Sequence, residues 1–290
     1  MKSHCTVRVL LLASSLVGSA LLVGCGGEAP GESADLAANP SNSVAVDPEP
    51  EAAPVGGELT STFTQAEDPS TYGVYLQQGG KARKVGSVKV QGHVNELTVE
   101  SSASPSGERV AIVPNYDTFA GTELRVLDAD GAERLLESVR VASPVWSPDS
   151  AELAYLVMSG EDRFELRISD GAQPGRTIGA LDALRAKILG WSKEKDEIYV
   201  IRDEYQGGNA SVVSFGVVDV ATGELRTTFA SSEKGSTFYR DFQLVEAADG
   251  SVLVSFVKST TSWTGGGKSR LQLATVNGTL LADHGEATDS

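Results

Sequence analysis

The chain has 290 residues, of which 40% are hydrophobic, and it carries a formal net charge of −15 at pH 7. A surface of that sign repels phosphate backbones and anionic headgroups, so the composition argues against binding to nucleic acid. More than 200 residues follow the low-complexity segment described below. That length is enough for a sizeable hydrophobic core without disulfide bonds.

The first 24 residues have the layout of an export signal. Lys2 and Arg8 form a positive segment, a 15-residue run rich in apolar residues extends from Val9 to Val23, and small residues precede Cys25. The run is shorter than the ~20 residues that a membrane-spanning helix needs. A retained helix and an ordinary cleaved signal peptide stay open as alternatives.

The tetrapeptide Leu22-Val23-Gly24-Cys25 resembles the lipobox of bacterial lipoproteins. The resemblance implies cleavage before Cys25 and acylation of that cysteine, which anchors a protein at ~0.8 kcal/mol per buried methylene. It implies a location in the cell envelope, and Gly26 favours the outer membrane over the inner because it is not an acidic retention residue. Cleavage would change the net charge to −17 and remove Cys5, so neither a disulfide nor a thiolate metal site is expected.

Residues 25–57 are predicted to form a disordered, acidic tether. From Gly26 to Gly57 the segment has five prolines, six acidic residues, no Lys or Arg, and no apolar period. Such a composition cannot bury enough apolar surface to offset the entropy of ordering. At full extension it would span ~100 Å, so a folded domain at 58–290 could reach away from the bilayer.

One segment occurs four times in the predicted domain. Each copy places a Ser-Pro turn, or a variant of it, before a short run of β-prone residues, and the copies are offset by 43, 45 and 55 residues. Proline at the second position favours a type I turn, and the run that follows can pair back as a hairpin. The copies are Ala103–Val113, Trp146–Leu156, Trp191–Ile201 and Glu246–Phe256.

Turns that contain glycine mark a second hairpin in each unit. Glycine is favoured in tight hairpin turns because these need a positive φ. Two hairpins in each period of ~40–55 residues give four strands per unit, which is the arithmetic of a β-propeller blade. The turns are Gly79-Gly80, Asp130-Gly131, Asp170-Gly171, Thr222-Gly223 and Asn277-Gly278.

The stretch from Trp146 to Tyr155 and the hairpin after it resemble the repeat of TolB-like propellers, which are relatives of the WD-repeat proteins. The resemblance covers residues 58–281 and implies blade architecture alone, since Lys193 replaces the proline in one copy and the chain has no room for the α/β domain of TolB. We therefore predict an all-β fold, a propeller of about five four-stranded antiparallel blades. A β-sandwich or an open array is the alternative. The predicted strand groups are a partial one at 59–86, without its innermost strand, and complete ones at 94–137, 143–179, 187–229 and 240–281.

In the usual strand order of a blade, the tight turns share one face and the longer connections share the other. Three longer connections, at 114–121, 202–209 and 258–270, carry aromatic and charged residues. Loops on a rigid scaffold commonly hold binding residues. The aromatics could instead only cover the edges of the sheets. The candidate binding residues are Tyr116, Phe119, Tyr205, Trp263 and Arg270.

Catalytic motifs are scarce in this sequence. His93 and His284 are the only histidines beyond the signal, so neither a histidine triad nor a multi-histidine metal site is expected. Thr264–Ser269 resembles the end of a phosphate loop, but Ser262 stands where that motif needs its first glycine. Asp128–Gly131 fits a turn better than a calcium-binding loop. We therefore predict no metal, no cofactor and no enzymatic activity. A glycosidase that uses a pair of carboxylates remains an alternative. The acidic residues considered for it are expected in solvated loops, and they are Glu161, Asp162, Asp203 and Glu204.

The leading interpretation is a membrane-tethered, non-enzymatic propeller that binds another envelope protein or a peptide through its long connections. The alternative is a carbohydrate-binding or carbohydrate-active propeller, in which Tyr116, Tyr205 and Trp263 stack on sugars. The repeat also predicts the core between blades, because the same apolar positions recur in each copy. These core residues are Trp146, Trp191, Val110, Leu153, Ile198 and Leu253.

Overall fold

The computed structural model describes 19 strands in five antiparallel sheets, of which four have four strands and the first has three. The all-β propeller fold expected from the sequence is confirmed, and the four complete sheets correspond to the four predicted groups, with ends that differ by up to five residues. This part of the chain contains no helix with the length and hydropathy of a membrane span. The described residues are 60–65, 71–78, 81–89, 98–116, 120–205, 211–231, 237–260 and 268–286.

The strands are short and follow one another as hairpins. The first sheet contains β1 (Thr60–Gln65), β2 (Thr71–Gln78) and β3 (Lys81–Lys89). The second contains β4 (Thr98–Ala103), β5 (Arg109–Tyr116), β6 (Leu124–Asp128) and β7 (Glu133–Glu137). The third contains β8 (Val141–Trp146), β9 (Leu153–Gly160), β10 (Arg163–Ser169) and β11 (Arg176–Asp182).

The last two sheets repeat this layout with longer strands. The fourth sheet contains β12 (Arg185–Trp191), β13 (Glu197–Tyr205), β14 (Ser211–Asp219) and β15 (Leu225–Ala230). The fifth contains β16 (Thr237–Glu246), β17 (Val252–Thr260), β18 (Lys268–Thr275) and β19 (Leu280–Glu286).

The first strand of each complete sheet lies innermost. β4 packs against β8, β8 against β12, and β12 against β16, so these four strands follow one another around the axis. Within each sheet the strands are paired in chain order. The three strands of the first sheet agree with the partial group predicted at 59–86.

Four hydrophobic clusters fill the junctions between consecutive sheets. The largest joins the third sheet to the fourth, and side chains alternate between the two faces of each sheet as strand geometry requires. Among the described residues, no cluster joins the fifth sheet to the first. Phe238 and Leu271, 37% and 41% exposed, lie on the face of the fifth sheet that points away from the fourth.

The turn after each innermost strand is built alike in all four complete sheets. The fourth residue of each turn donates its N–H to the carbonyl oxygen of the first, at 2.9–3.1 Å, and has a left-handed φ. In three sheets the first residue is a buried serine whose hydroxyl accepts the N–H five residues later. The four turns are Ser104–Gly107, Ser147–Ser150, Ser192–Lys195 and Ala247–Gly250.

The fifth sheet departs from this pattern, and the core prediction for Leu253 is wrong because of it. Ala247 has no hydroxyl, and its N–H bonds to the carbonyl of Ser251, one residue earlier than in the other turns. The next strand is therefore shifted by one residue, which exchanges its two faces. Val252 takes the position that faces the fourth sheet and packs against the cluster between the fourth and fifth sheets. Leu253 lies on the opposite face of the fifth sheet. Val110, Leu153 and Ile198 are fully buried, as predicted.

Trp146 and Trp191 pack between sheets, as the repeat predicted. They are 4% and 6% exposed. Each indole N–H donates to a carbonyl oxygen on the innermost strand of the preceding sheet, Trp146 to Ser102 at 3.1 Å and Trp191 to Val145 at 3.0 Å. The Arg109 guanidinium also lies 4.2 Å from the centre of the Trp146 ring. Each tryptophan thus fills a junction and satisfies its only polar group.

Trp146→Ala is expected to lower the free energy of unfolding by ~3–5 kcal/mol, because it leaves a cavity between the second and third sheets. Urea unfolding followed by circular dichroism measures the loss. Leu135→Ala is the control, since Leu135 is 53% exposed and its truncation should change stability by no more than ~0.5 kcal/mol. Equal stability of the two variants would contradict the packing role of Trp146.

Candidate functional site

The ends of the second strands define one face of the propeller, here called the long-loop face. β5 ends at Tyr116 and β13 at Tyr205, and β17 ends at Thr260. Each of these strands starts at one of the tight turns, so the tight turns occupy the opposite face, here called the tight-turn face. The connections from β5, β13 and β17 to the next strands therefore leave from the same face.

Three of the five predicted binding residues lie in strands, and the other two lie outside the described residues. Tyr116 and Tyr205 are the last residues of β5 and β13, and Arg270 lies within β18. These three were expected in loops, and that expectation is wrong because antiparallel pairing carries the strands further. Phe119 and Trp263 lie outside the described residues, as does the predicted lipidation site, Cys25.

Arg202 and Ser214 meet at the long-loop end of the fourth sheet as cross-strand partners. The Arg202 guanidinium lies 2.7 Å from a carboxylate oxygen of Glu204 and donates to the hydroxyl of Thr227 at 3.0 Å. The Arg202 Nε and the Ser214 Oγ are buried and have no hydrogen-bond partner. The sequence analysis missed this pair because the two residues are 12 apart in the chain and only the hairpin brings them together.

Asp203 and Glu204 are strand residues, which corrects the expectation that they lie in a solvated loop. Consecutive residues of a strand point to opposite faces, so Glu204 faces the third sheet with Arg202 while Asp203 faces the fifth. One carboxylate oxygen of Asp203 is buried without a partner. The two acids therefore do not face each other as a glycosidase pair would.

The long-loop end of the fifth sheet carries three cations on one face. Lys258 and Arg270 are direct cross-strand partners, and Lys268 is two residues before Arg270. Arg270, 47% exposed, is paired with Asp283 at 2.8 Å. That ion pair lowers the pKa of the Asp283 carboxyl, with a further contribution from the hydrogen bond of Gln272. This group of three cations gives the long-loop end of the fifth sheet a local charge opposite in sign to the net charge of the chain, −15.

A bulge in β8 at Ser143 joins the innermost strands β4, β8 and β12 through hydrogen bonds. Ser143 has a left-handed φ of 55°, and its backbone N–H donates to the carboxylate of Glu100 at 2.7 Å. Its hydroxyl accepts the backbone N–H of Ile188 at 2.9 Å. Burial raises the pKa of Glu100, while the Ser143 N–H and the charge of Lys187 lower it by less.

In the part of the chain that the structure describes, no group of three or more His, Cys, Asp or Glu side chains could hold a metal ion.

No family model matches the chain, and no curated protein matches it. Solved structures do resemble it. An oligogalacturonate lyase from Vibrio parahaemolyticus is 11% identical over 79% of this chain and 64% of its own, with a TM-score of 0.50. TolB from Acinetobacter baumannii is 14% identical over 78% of this chain, with a TM-score of 0.46, and this chain spans 52% of its length. The Cps50 (Swd1) β-propeller domain of Myceliophteria thermophila is 12% identical over 77% of this chain and 68% of its own, with a TM-score of 0.45. At these identities the likeness concerns the fold and assigns neither ligand nor activity.

Glu100→Gln is expected to stabilise the protein at neutral pH. Because the folded-state pKa of Glu100 is raised, its ionised form costs folding free energy, and that cost fades as the pH falls through the raised pKa. Glutamine keeps an acceptor for Ser143 and cannot ionise. The Tm of the variant should exceed that of the parent at pH 7, and the two should converge as the pH falls below about 4, where the carboxyl becomes protonated in both states.

The matched control for this pH series is Glu108→Gln, which removes an exposed carboxylate directly before β5. Its Tm should follow that of the parent throughout. A Glu100→Gln difference that is constant from pH 4 to pH 7 would show that ionisation of Glu100 is not its cause.

Proposed function

We propose that the protein is a non-enzymatic interaction propeller, held at a membrane of the bacterial envelope by lipid on Cys25, which binds another envelope protein or a peptide through its long-loop face. The observation that carries the proposal is that β5, β13 and β17 all end at this face. The strands that end at Tyr116 and Tyr205 therefore terminate on the same side as β17, the strand before the connection that contains Trp263. Aromatic residues grouped on a rigid scaffold suit recognition of a protein surface.

The charges of the fifth sheet support a partner with acidic groups. Lys258, Lys268 and Arg270 share one face at the long-loop end, whereas the chain as a whole is acidic. Such a local reversal of sign steers an acidic surface towards this end and disfavours other orientations. Arg270 can exchange its bond to Asp283 for a bond to a partner carboxylate, since both side chains of the pair are partly solvent-exposed.

The unpaired polar atoms of the fourth sheet support the same face. Arg202 Nε, Ser214 Oγ and one oxygen of Asp203 lie in the last residues of the β13–β14 pair that leads to Tyr205. Buried polar groups without partners cost roughly 1–3 kcal/mol each. A partner that re-orients Glu204 and brings its own polar groups would recover part of this cost on binding.

Cys25→Ser tests the anchor. The variant should incorporate no labelled palmitate and should leave the membrane fraction or stay unprocessed, because serine offers no thiol for the thioether. Metabolic labelling followed by fractionation measures both effects, and Cys5→Ser serves as the control. Unchanged labelling and membrane partitioning of Cys25→Ser would contradict the lipoprotein assignment.

The double variant Tyr205→Ala/Trp263→Ala tests the long-loop face. Crosslinking of the full-length protein in its native envelope, followed by mass spectrometry, first identifies the partner. The double variant should lose about 2 kcal/mol or more of binding free energy, or about thirtyfold in Kd, while its Tm stays near that of the parent. Truncation at an interface removes area that is buried only on binding.

Glu108→Ala is the control for partner capture, since Glu108 is exposed beside a turn of the tight-turn face. It should bind the partner as the parent does. A double variant that captures the partner undiminished, or that unfolds as early as Trp146→Ala, would show that these aromatics are packing residues. Capture of a saccharide in place of a polypeptide would favour the carbohydrate-binding interpretation.

A further inference from the structure

A groove of about 340 Å³ opens on the tight-turn face between the fourth and fifth sheets. Its apolar lining comes from Trp191 on the fourth sheet, from Leu244, Val245 and Val252 on the fifth, and from Pro148 in the tight turn of the third sheet. Lys193 and Glu246 add one charge of each sign. The groove is on the opposite side of the propeller from the long-loop face and does not depend on the function proposed above. Its volume is at the lower end of the range for ligand sites.

The groove occurs at a junction where the repeated tryptophan is missing. Ala103 and Glu246 hold the tryptophan position in the second and fifth sheets. Trp146 and Trp191 each stand directly before the turn that follows an innermost strand, and each fills the junction with the preceding sheet. Glu246 stands at the same position before Ala247–Gly250, on the same side of its sheet. Its side chain is exposed, and Leu244 and Val252 beside it are only partly buried.

We propose that this groove binds an aromatic side chain, an indole or a phenol ring, that projects from a partner polypeptide. The chain itself provides the precedent, because two equivalent junctions, those before the third and fourth sheets, are each filled by an indole. The incoming ring would lie against Trp191, Leu244 and Val252, and ring pairs of this kind are favourable beyond the area they bury. Lys193 provides a cation for the ring face, as Arg109 does for Trp146. Tryptophan and tyrosine are also enriched among the hot-spot residues of protein interfaces.

The test uses N-acetyl-5-fluorotryptophanamide as the probe and the full-length protein in detergent, observed by fluorine NMR. The parent should broaden and shift the probe resonance in a saturable way. Glu246→Trp should abolish this effect, because it places the chain's own indole in the groove, and it should raise the Tm by about 2–4 °C. Glu246→Phe should act in the same direction, so the test does not depend on one variant folding.

Glu224→Trp is the matched control, since it adds a tryptophan at an exposed turn of the fourth sheet away from the groove. It should leave the probe signal and the Tm as in the parent. Tyr205→Ala/Trp263→Ala should also keep probe binding, whatever it does to partner capture. The inference fails if the parent does not bind the probe, if both Glu246 variants still bind it, or if both lower the Tm. It fails as well if the probe signal is lost only in the Tyr205/Trp263 variant.

Discussion

The packing of each sheet against its neighbour is the constraint on which the rest of this fold depends, and at two junctions an inserted indole provides it. A four-stranded antiparallel sheet has two faces, and in a propeller both must be covered by other sheets. Trp146 and Trp191 achieve this near the tight-turn face and fix the depth of contact through one hydrogen bond to the preceding innermost strand. Where the position holds Glu246 instead, the sheets remain joined by Phe242 and Phe256 deeper in the junction, and the outer part stays open as the groove.

Local signals in the sequence predicted much of the fold. The Ser-Pro turns and the glycine turns each need a specific backbone conformation, and left-handed φ values occur at Gly107, Gly131 and Gly171 where these turns require them. Such requirements are visible in a few adjacent residues, so the number of strands and their grouping could be predicted. The one-residue shift in the fifth sheet could not, because it depends on whether Ala247 bonds to residue 251 or 252.

The candidate site was harder to predict, because cross-strand pairing decides what lies in it. Polar residues such as Asp203 and Lys258 are typical of loops when each is considered with its neighbours in the chain. In the structure they belong to long hairpins, where the partner strand supplies their backbone hydrogen bonds. Arg202 and Ser214 have no common motif, and only the register of β13 and β14 brings them together. The grouping of chain segments at one face did follow from strand order alone.

The order of the sheets has a consequence for how the chain folds. Every extensive packing contact between sheets in the described chain joins sheets that are neighbours in sequence. The free energy of unfolding is then close to the sum of the stabilities of the single sheets and of the junctions between neighbours, as in repeat proteins. Adding a sheet brings together residues that are only about one repeat apart in the chain. The largest cluster lies between the third and fourth sheets, so this pair is the natural nucleus. From there, order can spread outwards through one junction at a time, and it reaches the first and fifth sheets last.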